Sequence, residues 1–142
     1  MSVTVLDAGV LIGLLNPADA HCEQSRLALK SLVSRRERIV LSAVAYAEAM
    51  VGPQRMGRVA AHTADSAIGR IPKLEIADVD RAIARLAARL RANERSLRMP
   101  DAIVLATAGR VNADRVLTTD HGLDRFETTR RLSDFVRELD ED

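Results

Sequence analysis

Four carboxylates stand where an ordinary fold would not put charge. Asp7 is the only charged residue in positions 1–18, and Glu48 is the only one in 39–54. Asp101 follows Met99-Pro100 at the head of an apolar run, and Asp120 follows Val116-Leu117-Thr118-Thr119. Each has an ordinary structural role open to it. Asp7 can end a strand, Asp120 can cap the turn into His121-Gly122, and Asp101 can complement a helix N-terminus. Glu48 can sit at a boundary with its head in water. Together they point to more. Isolated carboxylates inside apolar stretches are costly unless something compensates them, and the sequence places no buried lysine or arginine to do so. One divalent cation would neutralise several at once. All-oxygen ligands select Mg²⁺ or Mn²⁺ rather than zinc. His21, His62 and His121 lack metal-ligand spacing and read as surface residues.

The elements that must position these groups alternate. Val3-Thr4-Val5-Leu6 is β-branched and apolar, hence a strand ending at Asp7. A short helix over 8–15 and a second within 20–36 follow. Ile39-Val40-Leu41 reads as a strand, and Ser42 offers an N-cap for a helix through Val51 that Gly52-Pro53 ends. Glu48 shares a helical face with Val44 and Val51, the face expected to meet the core. A helix over 54–70 leads to a short strand, Leu74-Glu75-Ile76. Val79, Ile83, Leu86, Leu90 and Leu97 then fall within one arc of about 60° at helical spacing, the clearest periodicity in the chain. Pro100 opens another helix, and Arg115 to Thr118 is a fourth strand. Continuous apolar strands alternating with helices predict an α/β fold, a buried parallel sheet with helices on both faces. In such folds the functional site lies beyond the carboxyl ends of the strands.

Composition narrows the classes. The 142 residues suffice for one core. With 21 Lys+Arg against 20 Asp+Glu the net charge is +1, so nucleic-acid binding would need a local patch. The single cysteine, Cys22, excludes a disulfide framework and a cysteine zinc site and fits a cytoplasmic setting. Tyr46, Phe126 and Phe135 are the only aromatics, too few for a base-stacking platform. The longest apolar run, residues 8–15, is far below the ~20 residues that span a bilayer, and no export signal is expected.

With Val3-Thr4-Val5-Leu6-Asp7-Ala8-Gly9-Val10-Leu11-Ile12, Ala45-Tyr46-Ala47-Glu48, residues Met99 to Ala108 and Val116-Leu117-Thr118-Thr119-Asp120, in that order, the chain resembles the PIN-domain ribonucleases. Among them it is most similar to the VapC toxins of bacterial toxin–antitoxin pairs. The resemblance implies a three-layer α/β/α sandwich in which Asp7, Glu48, Asp101 and Asp120 hold one or two Mg²⁺ or Mn²⁺ ions. It also implies hydrolysis of RNA phosphodiesters by an activated water, a VapB-like antitoxin partner and a homodimer. Asp124 offers a further carboxylate, beside the metal or as a solvated helix residue. Thr119 could orient a ligand or water through its hydroxyl. Gly9 departs from the family, many of whose members carry Ser or Asn there. Residues 1–137 are expected to form a single nuclease domain, and 138–142 a frayed acidic tail.

Other readings fit less well. A haloacid-dehalogenase-type site wants a second Asp two residues after the first, where Gly9 stands. A receiver domain wants paired acids at the first strand and a lysine near the last, and neither Lys30 nor Lys73 is placed for it. A PIN-type nuclease of RNA processing would use the same carboxylates, and a dead binding module would have lost some of them. Residues 81–98 carry six Arg and one Glu, a net +5. Arg81, Arg85 and Arg89 repeat at i, i+4, i+8 without alternating acid, opposite the apolar stripe. They form a candidate RNA-binding face, with a solvated helix surface as the alternative.

Overall fold

Short β-branched runs make the strands: Val3–Leu6 (β1), Arg38–Ser42 (β2), Leu74–Ala77 (β3), Arg115–Thr118 (β4) and Thr129–Arg131 (β5). The structure, a computed structural model, describes residues 1–141. The strands pair in the order β3-β2-β1-β4-β5, every neighbouring pair parallel. The central strands are buried on both faces, so their side chains need no polar alternation. β3 lies at an edge, with Glu75 and Ile76 exposed.

Helices Ala8–Leu15 (α1), Cys22–Ser34 (α2), Ala43–Arg55 (α3), Arg58–Gly69 (α4), Arg81–Asn93 (α5), Met99–Arg110 (α6) and Leu132–Glu141 (α7) cover the sheet. From β1 the chain builds outward to β2 and β3, then crosses back to lay β4 on the other side of β1. With right-handed crossovers, that reversal puts α1–α4 and α5–α6 on opposite faces. The result is an α/β/α sandwich around an all-parallel sheet. The gap between β1 and β4 is its switch point, where such sheets place their ligands.

Two apolar clusters hold it together. The main one is built from β1, β2 and β4, the inward faces of α1–α4 and α7, and Val104 and Ala108 of α6. The smaller joins Ile83 and Ala87 of α5 to Ala102, Leu105 and Ala106 of α6, with Leu97 and Leu123. This satellite core sets where the N-terminus of α6 sits.

Several boundaries depart from the sequence reading. α3 runs through Gly52-Pro53, because a proline in a last turn forfeits one ladder bond without preventing the helix. The break comes at Gly57, whose φ of 108° favours a residue without a Cβ. α5 ends at Asn93, so Arg95, Leu97 and Arg98 lie beyond it, although Leu97 stays 2% exposed in the α5–α6 cluster. β5 and α7 were not expected. β5 is a three-residue polar edge strand with no apolar signature. The residues expected to fray are helical from 138 to Glu141, and Asp142 lies outside the described residues.

Candidate active site

Strand register brings Asp7 and Asp120 to neighbouring strand ends. Leu6 of β1 pairs with Leu117 of β4, and the Asp7 amide donates to Leu117 O at 2.9 Å. Asp7 therefore lies beside Thr118, with Asp120 two residues further on. The Asp7 side chain caps α1: its Oδ1 accepts from the Ala8 amide at 2.8 Å. Its Oδ2 accepts from the Thr118 hydroxyl at 2.8 Å, and that same hydroxyl oxygen accepts from the Asp120 amide at 2.9 Å. Thr118 is thus the clasp between the two carboxylate-bearing strand ends. Asp120 also caps the 3-10 turn His121–Leu123, its Oδ1 accepting from Gly122 N at 2.8 Å. The capping role foreseen for it is real and engages one oxygen only.

Asp101 arrives from the other face, in the first turn of α6 behind Pro100. Glu48 arrives on α3, capped by Ser42, whose Oγ accepts from Ala45 N at 3.0 Å. The core face of α3 is Ala45, Ala49 and Met50. Val51 and Glu48 are exposed and Val44 is half-buried, so the face expected to meet the core turns largely outward. Glu48 stands at the rim, and Asp7 and Asp101 lie deeper, each 8% exposed.

Electrostatics ties the four together. Burial pushes the Asp7 carboxyl above its usual range, against the lowering by Thr118 and Ala8, and the charge on Asp120 adds to the rise. Glu48 is raised by partial desolvation, then by repulsion from Asp7 and Asp101. Asp101 is raised by burial, then by Asp7, with Asp120 adding a smaller push. A helix N-terminus favours an ionised carboxylate, but burial and like charge outweigh it here. Arg98 is the cation in contact, its Nε 3.5 Å from Asp101 Oδ2. It is 75% exposed, and its attraction leaves all three groups raised.

Glu37 shows the contrast. It is equally buried, at 4% exposure, but sits at the opposite end of the sheet. There it accepts from Arg115 at 2.6 Å and from Thr4 Oγ1 at 2.8 Å, with Arg35 at 3.8 Å. That buried carboxylate is paired, whereas the cluster at the switch point has mostly like charges for neighbours.

The donor set suits a hard divalent ion, being carboxylates alone. Among the described residues no group of three or more His, Cys, Asp or Glu side chains stands close enough together to hold a metal ion by itself. Mg²⁺ keeps several waters and takes one or two carboxylates together with substrate phosphate. The residues therefore fit an ion held partly through water.

The remaining candidates separate. Asp124 is engaged by Arg131, Nε to Oδ1 at 3.1 Å and Nη2 to Oδ2 at 2.9 Å, and reads as a surface ion pair. Thr119 packs against Gly9, where a Cβ would collide with its Oγ1. The missing side chain at position 9 is what makes room for that hydroxyl. The hydroxyl that bonds the carboxylates belongs to Thr118, which sequence reasoning missed. Its signal was parity: the last residue of β4 lies beside Asp7 once Leu6 and Leu117 are in register. Arg81, Arg85 and Arg89 lie on the exposed face of α5, with no ion-pair partner found for them among the described residues.

A family model described as the PIN domain matches residues 4–128. A comparison with curated protein sequences gives no significant match. Among solved structures, a toxin–antitoxin complex from Klebsiella pneumoniae matches with a TM-score of 0.70 at 20% identity, over 91% of this chain and 97% of that one. VapBC2 from Rickettsia felis, bound to a promoter DNA fragment, matches with 0.73 at 15% identity, over 91% and 98%. VapC20 of Mycobacterium tuberculosis, a toxin that cleaves the sarcin–ricin loop, matches with 0.62 at 19% identity, over 80% and 86%.

Proposed function

The chain belongs to the PIN domain family, and we propose from that premise that it is a Mg²⁺- or Mn²⁺-dependent endoribonuclease, the toxin of a VapBC-like toxin–antitoxin pair. The observation that carries this reading is the group of mutually repelling carboxylates at the switch point with no buried cation among them. Asp7, Glu48, Asp101 and Asp120 would hold the metal. A bound divalent ion supplies an acidified water and neutralises charge on the scissile phosphate. The protein supplies position. Thr118 fixes the Asp7 carboxylate and the Asp120 backbone against each other, α6 delivers Asp101 from the opposite face, and Glu48 closes the rim. Residues 1–137 act as a single nuclease domain. The exposed Arg81, Arg85 and Arg89 give RNA phosphates a second place to bind, along α5 and away from the acids.

A partner protein is supported by the surface beside Glu48. An apolar groove of about 360 Å³ runs between α1 and α3, lined by Ile12, Leu15, Val51 and Met56, with Glu48 on its wall. Such a groove suits apolar side chains of a small antitoxin, with a basic residue reaching the acids. The toxin works in the cytoplasm as a homodimer in this reading. None of the described helices is long and apolar enough to cross a membrane.

Two experiments test the proposal. The first examines cleaved RNA ends. Attack by water leaves no 2′,3′-cyclic phosphate, whereas cyclic ends would mean attack by the RNA's own 2′-hydroxyl and would overturn the mechanism. The second is co-expression with the product of the adjacent gene, which should relieve toxicity and yield a complex. Failure of that arm alone removes the toxin assignment and leaves the nuclease.

A further inference from the structure

Asp101 and Asp120 line an open cavity of about 370 Å³ together with Arg98 and Arg125. Arg98 is 75% exposed and touches Asp101 through Nε at 3.5 Å, which leaves its two terminal nitrogens uncommitted among the described residues. Arg125 is held in place rather than free. Its Nη1 donates to Gly122 O at 2.7 Å and its Nη2 to Ser96 Oγ at 3.1 Å. Its Nε lies 3.6 Å from Glu94, and the guanidinium sits 4.9 Å from the centre of the Phe126 ring. A guanidinium carries five N–H donors, and those two hydrogen bonds use two. A cation fixed by its neighbours loses little further freedom when it binds an anion.

The two kinds of side chain cannot serve one phosphate alike. Carboxylates accept a phosphate only through an intervening cation, whereas guanidinium groups bind it directly and often with two hydrogen bonds. We propose that Arg98 and Arg125 form a phosphate subsite that holds the RNA backbone phosphate next to the scissile one. This rests on the nuclease reading and adds to it the grip that sets which phosphodiester lies over Asp101 and Asp120. The competing account gives Arg125 only the task of tying the 3-10 turn to residues 94–96.

The test is equilibrium binding of a single-stranded oligoribonucleotide in chelator, where nothing is cut, over a series of salt concentrations. Arg98→Ala and Arg125→Ala should each weaken binding and each shallow the slope of log K against log salt by roughly 0.7, the loss of one contact to a single strand. Arg125→Lys should keep most of the slope. Arg98 is exposed, so Arg98→Ala should leave the fold intact, checked by its melting, and that arm stands if Arg125→Ala unfolds. Arg110→Ala, at the far end of α6, controls for net charge. Unchanged slopes for Arg98→Ala and Arg125→Ala, equal losses in Arg110→Ala, or no RNA binding by the unmodified protein would overturn the subsite. Cleavage in Mg²⁺ with unchanged slopes would sink the subsite and leave the nuclease. Altered slopes with no cleavage under any metal would leave a plain RNA-phosphate site and sink the nuclease reading, and with it the subsite's place beside a scissile bond.

Discussion

Asp7 accepts two hydrogen bonds and still holds its proton more tightly than a free aspartate, because burial and Asp120 outweigh both. Asp101 and Glu48 are shifted the same way. A carboxyl raised on folding binds more protons folded than unfolded, so its stabilising contribution is full below the unfolded value, near 4, and is lost as pH rises through the folded value. The metal-free protein should therefore gain stability from these groups as pH falls from neutral. Asp7→Asn should remove part of that gain, so its Tm in chelator should equal or exceed that of the unmodified protein at neutral pH. Calorimetry in chelator across pH checks this, and an Asn variant that melts far lower at neutral pH would make Asp7 structural. In metal, Asp7→Asn, Glu48→Gln, Asp101→Asn and Asp120→Asn should each cut RNA cleavage by more than the roughly 10–100-fold lost when a group that merely supports a ligand is removed. Thr118 would be such a support, since it bonds Asp7 Oδ2 and the Asp120 amide. Thr118→Val strands Asp7 Oδ2 and the Asp120 amide and should cost about 1–3 kcal/mol as well as activity. Thr118→Ser should restore both, read by denaturant melts and cleavage rate. Gly9→Ala should drive Thr119 aside and slow cleavage through Asp120, with a smaller effect on melting.

Among the elements, α6 depends on α5. Leu97 follows the end of α5, 2% exposed, one residue before Arg98 and four before Asp101. Leu97→Ala should destabilise the protein by about 2–5 kcal/mol and lower activity beyond what the unfolded fraction explains, because the N-terminus of α6 loses its packing. Urea melts run beside cleavage assays separate the two effects. The α5 stripe that makes this packing was legible in the sequence because amphipathic periodicity reports one buried face directly. β1, β2, β4 and the start of α6 were legible for a similar reason: apolar runs and a proline in a first turn are local signals. β5 was not, since Thr129-Arg130-Arg131 owes its strand to pairing with β4 alone. The orientation of α3 was misjudged because alanine at 45 and 49 packs closely while carrying little hydrophobic signal. Glu48 therefore faces outward, where a rim carboxylate is useful. Asp7 and Glu48 stood out through their isolation in apolar stretches, and Asp101 and Asp120 through their places behind Pro100 and after β4. The Thr118 clasp and Arg125 were not, because each depends on register or on a turn that no spacing encodes.

On the scale of the molecule, the sheet order decides where chemistry gathers. The order in which strands join the sheet reverses between β1 and β4, and such a switch point opens the crevice toward which Asp7, Asp101 and Asp120 are delivered from separate elements. A net charge of +1 leaves no overall field to attract RNA, so under the proposed function attraction would fall to local cations along α5 and beside the cavity. Replacing Arg81, Arg85 and Arg89 with Ala should weaken RNA binding similarly across sequences without changing cleavage-site choice, which sequencing of the product ends would check. A divalent ion that binds only the folded state should also raise Tm with concentration, by about 2.7 kcal/mol of stability at 100 times its Kd. That ion is the centre of the account. The most direct test is RNA cleavage by the purified protein, first in EDTA and then with Mg²⁺ or Mn²⁺ added in excess, with Asp101→Asn alongside. No cleavage in chelator, recovery with either metal and an inert variant are the predicted results. Cleavage that persists in chelator at the rate seen with metal would contradict the account.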